Sequence, residues 1–334
     1  PAMGRPNLRV VTNALVHRVV FEGKRAVGVE FSRGGVTERA DAAMEVILSA
    51  GAIGSPHILQ LSGVGEAEHL ARIGVPVVHE LRGVGRNFQD HFLVRVQAEV
   101  KDVPTLNERT RGLRFAGELL KFAVLGRGIL TYAASLLAAS FKALPESATP
   151  DMQALFASAS YAPGGGRDLD TKPGMTAGVW QMRPESRGFI AARSADPREQ
   201  PIINPNYLAE DRDQRSIVAG LRTMRDWFNK PALQRFLVAE TMPGRDVQTD
   251  EEWLHYARQV GSTVFHASCS CRMGPDVMSV VDDRLRVHGL EGLRVIDASV
   301  MPAVTSTNTN APTIMIAEKG ADMLRAEARA RLAA

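Results

Sequence analysis

A short apolar run that passes without a break into a glycine turn and then a helix constrains this chain most. Residues 44–49 read Met-Glu-Val-Ile-Leu-Ser, and Ala50-Gly51-Ala52-Ile53-Gly54-Ser55-Pro56 follows at once. The apolar run reads as a strand. A helical pattern of Ile58, Leu59 and Leu61 begins at Pro56, a residue suited to a first turn. Gly51 and Gly54 allow a close backbone approach, and Ser55 is placed to cap the helix. Strand, glycine turn, helix is the corner at which a backbone meets a bound group at the carboxyl end of a strand. By itself such a corner is more often an ordinary structural one.

Around that corner the chain alternates short strands and helices. Residues 7–12 are rich in β-branched side chains. Residues 15–21 and 26–31 flank the turn at Gly23, so a β-meander is expected. Residues 66–73 suit a short helix, and 83–91 form a glycine-rich loop. Composition changes after this loop. Residues 92–100 and 152–160 read as strands, 112–125 as a helix, and 189–193 as a strand after the turn at Arg183 to Gly188. Residues 195–197 and 203–208 read as turns. Residues 211–229 form a long amphipathic helix with Ile217, Leu221 and Met224 on one face. A last helix starts near Pro312. The expected class is mixed α/β, or α+β. The expected division is 1–91, then 92–284 as a second domain of antiparallel sheet and helices, then a return to the first domain over 285–334.

Bulk properties exclude several classes. Among 334 residues, 45% are hydrophobic and 23% charged, which suits a globular protein with a large core. The net charge of +3 is small and the arginines are scattered, so no nucleic-acid surface is expected. The longest apolar helical segment, residues 129–144, is interrupted by Ser135, Ser140 and Lys142, and no transmembrane segment is expected. The cysteines, Cys269 and Cys271, give no disulfide framework, which points to a reducing, cytoplasmic compartment. One Cys-x-Cys pair without a partnering ligand set predicts no metal.

The last third holds the residues with chemical promise. His266 stands in Val264-Phe265-His266-Ala267-Ser268-Cys269-Ser270-Cys271-Arg272-Met273-Gly274. Asn308 follows in Ser306-Thr307-Asn308-Thr309-Asn310-Ala311-Pro312-Thr313. Between them lies Val295-Ile296-Asp297-Ala298-Ser299. A histidine can take a hydroxyl proton, but a single histidine among eight is more often structural, and nothing local pairs it with Asn308. The polar run at Asn308 also suits a cap for the helix that follows.

These segments, in this order, resemble the C-terminal half of the glucose–methanol–choline (GMC) oxidoreductases. Residues 51–65 resemble the family's second signature. Residues 83–91, Gly-Val-Gly-Arg-Asn-Phe-Gln-Asp-His, resemble its G-V-G-x-N-L-Q-D-H loop, with Phe88 for Leu. Residues 183–208 resemble its P-x-S-R-G-x-I stretch with D-P and P-N-Y-L downstream. The histidine segment resembles H-x-x-G-T-C-R-M-G, with Cys269 for Gly and Ser270 for Thr. The resemblance implies an FAD enzyme similar to choline dehydrogenases, oxidising a small-molecule alcohol to an aldehyde or ketone. His266 would be the base as hydride passes to flavin N5, and Asn308 would orient the hydroxyl. Val16, Gly51, Asp297, Ala298, Asn310 and Ala311 would contact FAD. The 83–91 loop would lie near the phosphate and ribitol, and a helix N-terminus would face the pyrimidine. His91 in that loop reads more simply as a hydrogen-bonded structural histidine.

No G-x-G-x-x-G opens a helix here. The expectation is the C-terminal part of a family member, an incomplete FAD-binding domain plus a substrate-binding domain, with weak FAD binding of its own. Uncovered strands at its start would favour oligomers. A dehydrogenase is preferred to an oxidase, and no residue pattern selects the electron acceptor. Two other readings stay open: a hydroxynitrile lyase on the same fold, and a catalytically silent binding module.

Overall fold

The computed structural model describes residues 2–133, 135–162 and 168–333. Contacts group them into two units. One comprises Pro1–Asp90, Ser186–Tyr207 and His266–Ala334, and the other His91–Glu185 and Leu208–Phe265. The sequence pattern predicts a return to the first unit at 285. The contacts put it at His266 and add 186–207, because both segments exchange backbone hydrogen bonds with the 83–91 loop: Phe88 with Gly188, and Gln89 with Ser268.

In the first unit, strands Ala14–Glu22, Arg25–Arg33 and Val36–Asp41 form an antiparallel meander. Its turns use Gly23, Gly34 and Gly35, all at positive φ, where a side chain would be strained. Residues 7–12 join no strand, and their side chains stay exposed. Val46–Leu48 pairs in parallel with Leu293–Val295, so the glycine corner and the Asp297 turn leave the same ends of two adjacent strands. The helix spans Gly51–Leu61, starting one turn before Pro56, and Ser55 therefore lies inside it rather than at its cap. Leu59, Val64, Cys269, Cys271, Val280, Val281, Leu293, Val295 and Val300 fill the core beneath. Arg294 is buried in this unit and made tolerable there by Glu45 at 2.7 Å and by Glu327.

The second unit is built on a six-stranded antiparallel sheet. Its main path runs Leu237–Met242, Phe92–Val100, Gly174–Gln181, Met152–Ala157, Leu137–Phe141. All of Gly174–Gln181 is buried. Helix Asp211–Phe228 buries Ile217, Leu221, Met224 and Phe228, the face its periodicity predicts. Gly220 makes that packing close: a Cβ there would stand 2.6 Å from Met152 Cε and 3.2 Å from Val179 Cγ2. Helix Asp250–Val260 opens with a capping box, Thr249 Oγ1 accepting from Glu252 N at 3.2 Å and Glu252 accepting from Thr249 N at 2.9 Å. Residues 129–144 are not a helix. They make a 3-10 turn at Ile129–Thr131 and the strand Leu137–Phe141, with Ala134 outside the described residues. Among the described residues, no helix is long and apolar enough to cross a membrane.

Candidate active site

His266 and Asn308, 42 positions apart, meet in the first unit. Asn308 Nδ2 lies 3.1 Å from His266 Nε2. An amide nitrogen carries only hydrogens, so it donates and Nε2 accepts through its lone pair. With the amide turned this way, the contact calls for the neutral tautomer with its proton on Nδ1. Burial pushes the His266 imidazole below its ordinary value, and the Asp90 carboxylate opposes part of that shift. The site thus holds an unprotonated histidine nitrogen beside an amide N–H.

The backbone explains how His266 is held. The segment behind it lies between two others. On one side Cys269 N, Cys271 N and Met273 N donate to the carbonyls of Ala298, Ser299 and Val300 at 3.2, 2.9 and 2.8 Å. On the other, Ser268 N donates to Gln89 O at 2.9 Å, and Gly85 N donates to Ser270 O at 2.8 Å. Ser270 Oγ donates to Ala52 O at 2.5 Å, so the hydroxyl retained where the family pattern has Thr is used. Cys269 has φ 72°, in the left-handed region, which accounts for a glycine in the pattern at that place. The thiol is fully buried, and burial pushes it up to about 12, so it stays protonated.

Gly51 and Asp297 also come together. Asp297 Oδ2 accepts from Gly51 N at 2.9 Å and from Ser55 Oγ at 2.6 Å, while Oδ1 accepts from Ser299 N at 2.8 Å. The carboxylate caps the helix start from 246 residues away, so its side chain serves the protein's own turns. Gly51 has φ 77°, and nothing lies within 4 Å of where its Cβ would be. The backbone there is open to an approaching group. The glycines of the 83–91 loop differ. A Cβ on Gly83 would stand 2.1 Å from Met278 O, and one on Gly85 2.1 Å from Ile190 O. These two serve internal packing.

Asn310 and Ala311 are exposed at the first turn of helix Asn310–Ala333, whose dipole and free N–H groups favour an anionic partner. Ala298 is half-buried, its carbonyl engaged with Cys269 N. Val16 stands on the first strand, half-buried, three residues from Val19, whose N–H donates to Ser62 Oγ beyond the far end of the Gly51–Leu61 helix. Two residues that sequence reasoning left without a role, Asp90 and Tyr207, sit at the back of His266. Asp90 Oδ1 accepts from His266 N at 2.8 Å and Oδ2 from Tyr207 Oη at 2.5 Å. Asp90 and Tyr207 lie inside the quoted patterns, but nothing local in sequence links them. Among the described residues, no group of three or more His, Cys, Asp or Glu could hold a metal ion.

The fold and the order of its motifs point to a GMC oxidoreductase, and the comparisons show the family. The family's N-terminal model matches residues 1–93 and its C-terminal model residues 184–317. The chain belongs to the GMC oxidoreductase family, a family of enzymes whose cofactor is FAD. It is 41% identical over 324 residues to the oxygen-dependent choline dehydrogenase of Burkholderia ambifaria (strain MC40-6), covering 97% of this chain and 57% of that protein. The protein of that name from Pectobacterium carotovorum subsp. carotovorum (strain PC1) is 42% identical, over 97% of this chain and 58% of its own length. The chain thus spans less than two thirds of these relatives. Among solved structures, a formate oxidase matches with TM-score 0.89 at 26% identity, over 97% of this chain and 62% of its own. Pyridoxine 4-oxidase from Mesorbium loti matches with TM-score 0.82 at 26% identity, over 96% and 58%.

Proposed function

We propose that this chain carries the proton-accepting half of an FAD-dependent oxidation of an alcohol to an aldehyde or ketone. The observation that carries the reading is the 3.1 Å contact between Asn308 Nδ2 and His266 Nε2, with the imidazole held neutral by burial. An alcohol oxygen entering between the two groups would give its proton to Nε2 and accept a hydrogen bond from the amide. The amide then stabilises negative charge on the oxygen as the proton leaves. Because Asn308 bears no titratable proton, the pair cannot exchange roles.

Bound FAD would supply the hydride acceptor for the carbon. The open backbone at Gly51, the turn at Ala298 and the first turn of the last helix at Asn310 and Ala311 suit its binding. Asp297 would contribute by fixing Gly51 and its own turn. Val16 remains part of the proposal as an adenine contact. Choline is the first alcohol to test, since relatives at 41% identity bear that name. We place the protein in the cytoplasm on the strength of its two free, buried cysteines.

The test is His266→Ala in the full-length protein, with flavin content and turnover measured on one sample. The expected outcome is retained flavin with turnover reduced about 10²–10⁴-fold, the usual contribution of a positioned general base. Turnover near wild type at unchanged flavin content would remove His266 from the mechanism.

A further inference from the structure

Behind His266 lies a buried carboxylate for which alcohol oxidation, as set out above, has no use. Asp90 is 5% exposed, and a carboxylate so far from water needs partners that repay its desolvation. Two such partners are in place. Oδ1 accepts the backbone N–H of His266 at 2.8 Å, and Oδ2 accepts the Tyr207 hydroxyl at 2.5 Å. These are charge-assisted bonds, stronger than neutral ones.

The frame on either side is stiff. Gln89 and Ser268 exchange two backbone hydrogen bonds, at 3.1 and 2.9 Å, which ties the chain before Asp90 to the chain after His266. Tyr207 follows Asn206, which sits at φ 55° with its Nδ2 donating to Arg187 O at 3.0 Å. Arg187 Nε in turn donates to Asn87 Oδ1 at 3.0 Å, back on the 83–91 loop. The phenol is therefore aimed, and a tyrosine hydroxyl aimed at one carboxylate oxygen leaves the other directed at His266.

We propose that Asp90, oriented by Tyr207, is the positioning residue of this site: it pins the backbone of His266 and keeps negative charge beside the imidazole that must accept a proton. The inference rests on His266 as the base. An imidazole that becomes imidazolium during turnover is stabilised by a nearby fixed anion, and burial alone would make it a poor base. The Asp90 charge opposes the effect of burial on His266 in that direction. Among the described residues, the other ionisable groups acting on this segment include the Arg187 guanidinium, the Tyr207 phenol, the Asp297 carboxylate and the Cys269 and Cys271 thiols. Burial keeps both thiols protonated. Asp297 is spent on Gly51, Ser55 and Ser299.

The experiment compares Asp90→Asn, Asp90→Ala and Tyr207→Phe with wild type in the full-length holoenzyme. Kinetics against pH are read beside an NMR titration of the His266 ring, which does not depend on turnover. Asp90→Asn keeps an oxygen for the His266 N–H and removes the charge. It is expected to lower kcat about tenfold with KM changed less than about twofold, the pattern of an interaction made in the transition state. Without the anion the imidazolium is less stable, so the acidic limb of kcat and the ring titration both move to lower pH. Asp90→Ala also loses the acceptor and should fall further, to about 10²-fold below wild type. Tyr207→Phe should move the limb in the same direction by less. A folded, flavin-loaded Asp90→Asn whose limb and ring titration stay at their wild-type positions overturns the inference, whatever its kcat. A uniform loss of activity without a limb shift does the same, since a merely structural residue would give it. A ring titration that moves while His266→Ala retains turnover would show that Asp90 sets the charge beside the ring, but it would sink the assignment of His266 as the base and the catalytic part of the inference with it.

Discussion

His91 and His266 are both buried, and both stand in patterns shared with one enzyme family, yet the atoms at their Nε2 positions differ. His91 Nε2 lies 3.0 Å from Met182 O. A carbonyl only accepts, so His91 must keep a proton on Nε2 and donate it. The ring, in the second unit, ties a loop to the strand end after Trp180, whose indole centroid is 6.5 Å away. His266 Nε2 faces the Asn308 amide nitrogen at 3.1 Å and must therefore accept. Burial and membership of a motif do not separate a base from a brace. The chemistry of the nearest partner does, because it decides which nitrogen keeps its lone pair.

The largest expected effect is the contrast in activity. His266→Ala should cost turnover about 10²–10⁴-fold with flavin retained, as set out above. If His91→Ala costs as much turnover per flavin, the two histidines do not differ in the way their partners imply. Next comes Asn308. Its alanine variant should lose about tenfold, because it removes one hydrogen bond and some orientation while leaving the base. Asn308→His should keep part of the activity, since a ring N–H can replace the amide N–H. A loss for Asn308→Ala that exceeds that of His266→Ala would reverse the assignment.

His91→Ala should instead appear in stability. It leaves a buried carbonyl, Met182 O, without this donor, a change worth about 1–3 kcal/mol in denaturant unfolding. An unchanged unfolding midpoint would say that the contact at 3.0 Å contributes nothing. The smallest effect is expected at Cys269→Gly. Glycine relieves the left-handed backbone at φ 72° but removes a fully buried sulfur from the core. Each term is of order 1 kcal/mol, so stability should stay within about 1 kcal/mol of wild type. A much larger loss would show that the sulfur, and not the backbone, governs that position.

Local pattern was enough for much of this. The strand Phe92–Val100 and the helix Gly112–Leu125 begin and end where periodicity and glycine place them. The face of Asp211–Phe228 that packs is the one its spacing predicts. His266 and Asn308 were legible only through the resemblance, since a single histidine and a polar loop say little alone. What escaped notice depends on distant partners. The helix starts at Gly51 because Asp297 caps it, and no window of sequence holds both. Residues 129–144 form a 3-10 turn and a strand because Met152–Ala157 offers an edge at Leu137–Phe141. Tyr207 and Asp90, 117 positions apart, meet through a fold that brings 186–207 back to the first unit.

The central claim is that the lone pair of His266 is on Nε2 while that of His91 is not. Nitrogen NMR of the protein labelled with ¹⁵N in its histidine rings reads this directly, because protonated and unprotonated ring nitrogens resonate far apart. Measured above the titration range of both rings, with assignments from His266→Ala and His91→Ala, His266 should show an unprotonated Nε2 and a protonated Nδ1. His91 should show the proton on Nε2. A proton on His266 Nε2 would mean that Asn308 presents its carbonyl oxygen instead, and the base proposed here would have no lone pair facing its partner.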